Sequence, residues 1–184
     1  MNAPETLKRD SLYLAQTHEV VNVSNELVDY NPYTQDAALV EGVAREGGGW
    51  AHEALTAFGQ LTGSAETIEL GALANRNPPE FDTHDRFGNR VDLVRFHPSY
   101  HRLMQTAIEH GLHSSPWTDP RAGAHVARAA HTYLQTQVEA GHGCPITMTF
   151  AAIPALRHTP GLAARWEPKI TARVRIPAVR ALFS

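Results

Sequence analysis

One cysteine, Cys144, stands in 184 residues, so no disulfide can close within the chain and cysteine usage gives no sign of an oxidising compartment. No window approaches 18 consecutive apolar residues, and the N-terminus has no continuous apolar run. Both a membrane span and a secretory leader are therefore not expected. Charged residues are scarce, 19% against 42% hydrophobic, which excludes a disordered chain and leaves a globular one. No internal repeat and no low-complexity tract is present. The expectation is a cytoplasmic protein of one domain, with or without a tail.

What charge there is divides unevenly. Residues 1–156 carry 10 Lys and Arg against 18 Asp and Glu, a net of −8, whereas residues 157–184 carry 6 against Glu167 alone, a net of +5. A basic tail on an acidic body suits contact with nucleic acid, and equally pairing with acidic protein.

The stretch from Asp119 to Phe150 organises the chain. Asp119 and Pro120 read as N-cap and first helical residue, and Arg121 to Ala140 carries Val126, Ala127, Ala130, Tyr133, Leu134 and Val138 at helical spacing. Five alanines between 122 and 130 keep its surface low, so neighbouring helices can approach closely. This predicts a buried hub helix. Gly141-His142-Gly143 ends it, and a second apolar segment runs from Cys144 to about Leu156.

Before the hub, residues 1–33 are polar and irregular and read as an extended arm, with Val20 to Val23 as a short strand or extended piece. Thr34 is placed to cap a helix containing Ala37 to Val43, which ends at the run Gly47-Gly48-Gly49. That run is not a phosphate loop, because Trp50-Ala51 follows where lysine and serine or threonine are needed; a tight reversal explains it. A second helix spans Ala51 to Leu61, with Trp50, Ala54, Phe58 and Leu61 on one side. Ser64 caps a third, stopped by Asn75 to Pro79. Glu80 to Phe96 alternates instead and predicts a small hairpin. Pro98 restarts helix to Gly111, Leu112 to Thr118 connects, and Leu162 to Ile170 gives a last weak helical pattern. The fold class is all-α with one hairpin excursion.

Chemistry is sparser than packing. His97 and His101 are four apart, but Pro98 makes His97 a cap and no zincin glutamate follows, so no metal is assigned. His142 and Cys144 flank Gly143 without a recognisable orienting group, and a small buried helix-start residue is the simpler account of the cysteine. The tryptophans Trp50, Trp117 and Trp166 are scattered and read as core. Thr147-Met148-Thr149-Phe150 alternates polar and apolar groups just after a helix corner, which suits either a ligand channel with hydroxyl donors or an inter-helix seam.

Several long runs carry a resemblance. Glu41-Gly42-Val43-Ala44-Arg45-Glu46-Gly47-Gly48-Gly49-Trp50, Leu73-Ala74-Asn75 with Asn77-Pro78-Pro79-Glu80, Val94-Arg95-Phe96-His97-Pro98, Val126-Ala127-Arg128-Ala129-Ala130, Gln137-Val138-Glu139-Ala140-Gly141 and Cys144 to Ala152 resemble, in order, the N-terminal part of the AidB family of acyl-CoA dehydrogenase-like flavoproteins. The resemblance covers roughly residues 12 to 170 and fades from Thr171 onward, as in a truncated or frameshifted gene product. It implies an acyl-CoA dehydrogenase-like N-terminal helical domain over residues 34–170, between the arm at 1–33 and a basic divergent tail at 171–184. It implies that complete members bind FAD, form homotetramers with DNA affinity and serve the response to DNA alkylation. The flavin-binding segment and the catalytic base lie, by the same resemblance, in later domains. No catalytic, cofactor-binding or metal residue is therefore assigned in this chain, and FAD is not expected to stay bound to it alone. Met148, Thr149 and Phe150 remain as one wall of a cavity completed by the missing domains. The competing expectation is a non-enzymatic helical domain that associates with itself or with those domains.

Overall fold

The computed structural model describes residues 21–174, and three of its helices begin where a polar side chain reaches a free amide. Asp36 opens α1, Ala37–Val43, by accepting the Leu39 N–H at 2.9 Å. The sequence places Thr34 in that role, but the Thr34 and Tyr33 amides are both held by the Asn31 side chain, so Thr34 sits in the preceding turn. An irregular turn over Ala44–Gly48 and a short one over Gly49–Ala51 then reverse the chain into α2, His52–Thr62. Ser64 caps α3, Ala65–Arg76, through the Thr67 N–H as expected.

Two strands follow, β1, Glu80–His84, and β2, Arg90–Arg95, antiparallel with Phe81 opposite Val94. Asp85 builds the connecting turn, its carboxylate accepting from Phe87 N, Asn89 N and the Asn89 amide. The hairpin lies at the surface with Phe81, Val91, Leu93 and Val94 largely exposed. Val21 to Val23 form no strand, and Val20 lies outside the described residues. Helix α4, Pro98–Glu109, starts with the His97 ring accepting the Ser99 N–H, and a single turn, α5, Ser115–Thr118, occupies the predicted connection. Three further helices complete the described chain: α6, Ala124–Val138, α7, Gly143–Arg157, and α8, Pro160–Ile170.

The hub helix α6 is shorter than the sequence suggests. Gly123 adopts φ +73°, in the left-handed region, and this breaks any helix begun at Pro120; Asp119 pairs with Arg121 instead of capping. The reason is tertiary. A side chain at Gly123 would overlap the Gly47 carbonyl, so the two glycine turns meet backbone to backbone and α6 can start only beyond that contact.

From there α6 packs against α1, α2, α3 and α5. Its buried face is Ala124, Ala127, Ala130, Leu134 and Gln135, while Tyr133 points outward. Low alanines let Phe58 of α2 nest between the rings of His110 and His131, at 4.6 and 5.0 Å. Leu55, Ala107, Leu112 and Ile146 close the same core, and full burial of a Leu or Phe side chain here contributes about 2–3 kcal/mol. The buried side of α2 is Leu55, Phe58, Gly59 and Thr62, rotated from the predicted stripe, so Ala54 and Leu61 are exposed. Tyr33, at the end of the predicted arm, is 1% exposed and belongs to this core.

Candidate functional site

Helix α7 carries Pro154 in its interior, and a proline there has no N–H to give the carbonyl four residues earlier. That carbonyl belongs to Phe150. The Trp117 indole Nε1–H donates to it at 3.0 Å, replacing the missing helical donor from outside the helix. The two rings stack at 4.9 Å, and the His125 ring meets both edge-on. The Arg128 guanidinium lies 3.6 Å from the Phe150 ring centroid on one side, and Arg157 lies 5.5 Å from that of Trp117 on the other. A cation, two aromatic rings and a second cation thus join α5, α6 and α7.

The three residues singled out from sequence are separated by this arrangement. Phe150 is held inside the stack. The Thr149 hydroxyl donates to the Pro145 carbonyl at 2.7 Å, leaving only its lone pairs for a ligand. Met148 is 67% exposed on the outer face of α7. Thr149 also borders a cavity of about 240 Å³ with Met104, Ile108, His113, Ile146 and Ile170. His113 is almost fully buried there. Its Nε2–H donates to the Ala172 carbonyl at 3.2 Å while Nδ1 has no partner, and burial holds its pKa below the usual imidazole value.

These groups do not fit a flavin-holding role by themselves. The hydroxyl proton of Thr149 is spent within the helix and the Phe150 ring has aromatic and cationic neighbours on both faces, which leaves Met148 as the one free apolar contact of the three.

At the corner between α6 and α7 the structure supplies an orienting group the sequence did not reveal. His142 is 1% exposed, its Nδ1–H donates to Glu139 at 2.7 Å, and its Nε2 accepts from the Gln135 amide at 3.0 Å. Burial alone would raise the Glu139 pKa. The His142 ring and the Gly141 and His142 amides outweigh it and hold the carboxyl below its ordinary value. Both ring nitrogens are engaged, so none is left to take a proton from Cys144. That cysteine is exposed, not buried as the sequence suggested, because the corner turns its side of α7 outward. Gly71 of α3 packs directly on the Val138 carbonyl at this corner.

His97 serves as the α4 cap, and His101 meets Phe96 and Tyr100 edge-on. Among the described residues no three His, Cys, Asp or Glu side chains are placed to share a metal ion, and no helix is long and apolar enough to cross a membrane. Trp50, expected in the core, is 45% exposed; its indole donates to the Ala122 carbonyl at 3.0 Å and its ring carries Arg121 at 3.4 Å. It fastens the α1–α2 turn to the start of α6 from outside.

Known proteins share this architecture. Caenorhabditis elegans ACDH-11, solved in complex with C11-CoA, superposes with a TM-score of 0.73 at 23% identity over 85% of this chain and 28% of its own. The apo form of Bd2924 superposes with a TM-score of 0.70 at 23% identity over 82% of this chain and 31% of its own. At that identity the likeness establishes the fold: a helical bundle with a two-stranded hairpin, matching an acyl-CoA dehydrogenase-like N-terminal helical domain. The acyl-CoA dehydrogenase-like protein AidB of Escherichia coli (strain K12) is 53% identical over 142 residues, 77% of this chain. The chain spans only 26% of that relative's length. Residues 22–174 match the model of the adaptive response protein AidB N-terminal domain, and the chain belongs to that family.

Proposed function

We propose that this chain supplies the N-terminal helical domain of a longer FAD-dependent, acyl-CoA dehydrogenase-like protein of the DNA-alkylation response, and that alone it neither holds FAD in stoichiometric amount nor oxidises an acyl-CoA. The observation that carries this reading is 53% identity over 142 residues to a relative of which the chain spans only 26%. In the longer protein α7 forms one wall of the acyl or flavin cavity. Met148 makes the apolar contact, Thr149 offers its oxygen as an acceptor, and Phe150, clamped by Trp117 and Arg128, keeps the wall rigid. Acyl-CoA dehydrogenation needs a base and a flavin held on opposite sides of one acyl group, and a single wall does not provide that. The whole protein acts in the cytoplasm as a homotetramer with DNA affinity.

The test is direct. The chain is mixed with excess FAD, repurified and read at about 450 nm for flavin, then assayed with isovaleryl-CoA and an artificial electron acceptor. The expected result is no retained flavin and no turnover. Flavin near one equivalent per chain, with turnover lost on heating, would overturn the proposal.

A second reading, a helical interaction domain without enzymatic role, is favoured by one feature. An almost wholly apolar groove of about 380 Å³ lies between α1 and α6, lined by Leu39, Val43, Val126, Ala129, Ala130 and Tyr133. Stable self-association without any flavin signal would favour that reading.

A further inference from the structure

A second cavity, about 230 Å³, opens between the α2 start, the α4 end and α6, and its walls are cationic. Arg121, Arg128, Arg173, His110 and His131 line it together with Trp50. The acids on the same walls are occupied: Asp119 pairs with Arg121 at 3.0 Å, and Glu109 accepts from the Gln105 amide at 2.6 Å. Two of the guanidiniums keep donor groups without a protein acceptor among the described residues. Arg128 donates through Nε to the Leu112 carbonyl at 2.7 Å, but its Nη2 is buried with no partner. Arg173 makes no ion pair or hydrogen bond among the described residues and lies over Gly111.

A buried guanidinium N–H without an acceptor costs on the order of 1–3 kcal/mol, which applies to Arg128 Nη2, while Arg173 is exposed and presents its donors to solvent. We infer that this cavity binds a phosphate-type oxyanion, free or as the terminal group of a small monoester, through Arg128 and Arg173. The planar forks of two arginines suit tetrahedral oxyanions, and the Trp50 wall leaves room for a small organic substituent. His110 and His131 respond to occupancy. Burial holds both below their usual pKa; Arg173 pushes both further down and His110 does so to His131, while Glu109 opposes this at His110 and the Ala127 carbonyl opposes it at His131. An anion offsets the field of Arg173, so binding takes up protons and tightens as pH falls below ~6.5.

The test uses the full 184-residue chain at constant ionic strength. Calorimetric titration with inorganic phosphate, with phenyl phosphate and with chloride is run alongside NMR of the histidine rings. Saturable binding of phosphate or phenyl phosphate, absent with chloride, is expected, and the tighter of the two identifies a free or an esterified ligand. The His110 and His131 signals should follow occupancy while that of His84 on the hairpin should not. Arg173→Gln, at an exposed position, should fold normally and weaken binding by about tenfold or more. No saturable binding on either side of pH ~6.5, or an unchanged affinity in R173Q, would overturn the assignment. The outcome is independent of the flavoprotein reading, whose test measures flavin and turnover.

Discussion

Pro154 and Trp117 complete one hydrogen bond between them: the proline removes the helical donor to the Phe150 carbonyl, and the indole supplies one at 3.0 Å. A proline inside a helix ordinarily costs about 3 kcal/mol, and part of that cost is the unpaired carbonyl. Here the carbonyl becomes an anchor between α5 and α7. Substituting Trp117→Phe keeps much of the stacking and removes the donor, with an expected loss of about 1–2 kcal/mol. In a Pro154→Ala background residue 154 regains its N–H, and the same substitution should cost measurably less. Urea denaturation of the four proteins in the cycle checks this, and additive effects would show that the two residues are not coupled.

Gly123 combines a left-handed backbone with a close backbone neighbour, so a methyl group there should do harm on two counts. Gly123→Ala places a side chain at φ +73° and against the Gly47 carbonyl. Backbone strain of about 1–2 kcal/mol and overpacking of similar size should lower stability by about 2–4 kcal/mol. Gly161→Ala, where a Cβ meets open space, serves as the control and should be nearly neutral. Comparable melting temperatures for the two variants would contradict the backbone contact.

Acid should weaken the fold earlier than carboxylate titration alone would. His110, His113 and His131 all have folded pKa values lowered by burial, so below about 6.5 the unfolded chain binds protons that the native chain refuses. Stability is therefore full above that pH and falls as pH drops from it toward the folded values. Glu139, whose folded pKa is also lowered, adds stability above its unfolded pKa that is lost at still lower pH. Melting temperature against pH should fall continuously from neutrality downward. A flat profile between about pH 7 and 5 would show that the histidines titrate alike in both states.

Glu139→Gln should uncouple the corner between α6 and α7. It keeps the shape but weakens the charge-assisted bond to the buried His142 ring, with an expected cost of about 1–3 kcal/mol. Hydrogen exchange should quicken at Gly141 and His142, whose amides donate to that carboxylate. Unchanged exchange there would mean that the network does not hold the corner.

The isolated chain should self-associate. The apolar groove between α1 and α6 and the exposed Phe81, Phe87, Leu93 and Val94 of the hairpin leave two apolar surfaces open to a second copy. Sedimentation at low micromolar concentration tests it: a monomer with a cooperative melt would refute the idea.

The sequence by itself determined the helix and hairpin order, the Ser64 and His97 caps, and the family, because these depend on local spacing, on side chains within three residues of an amide, and on long runs of residue identity. The tertiary structure decided where α6 starts, since Gly123 is set by a backbone contact with Gly47, far away in sequence. It decided which side of α2 is buried, because Phe58 packs on His131 of α6 while Gly59 faces Asn31 and Tyr33 of the segment before α1. It also decided what becomes of the candidate wall. Met148, Thr149 and Phe150 are consecutive, but Phe150 alone is captured, because Pro154 frees its carbonyl and Trp117 lies within reach. Period and capping are local properties. The Trp117, Phe150 and Arg128 stack depends on where separate helices meet, and no single stretch of sequence encodes that distance; the Glu139, His142 and Gln135 network closes within residues 135–142, but needs the corner between α6 and α7 to turn the His142 ring back onto α6.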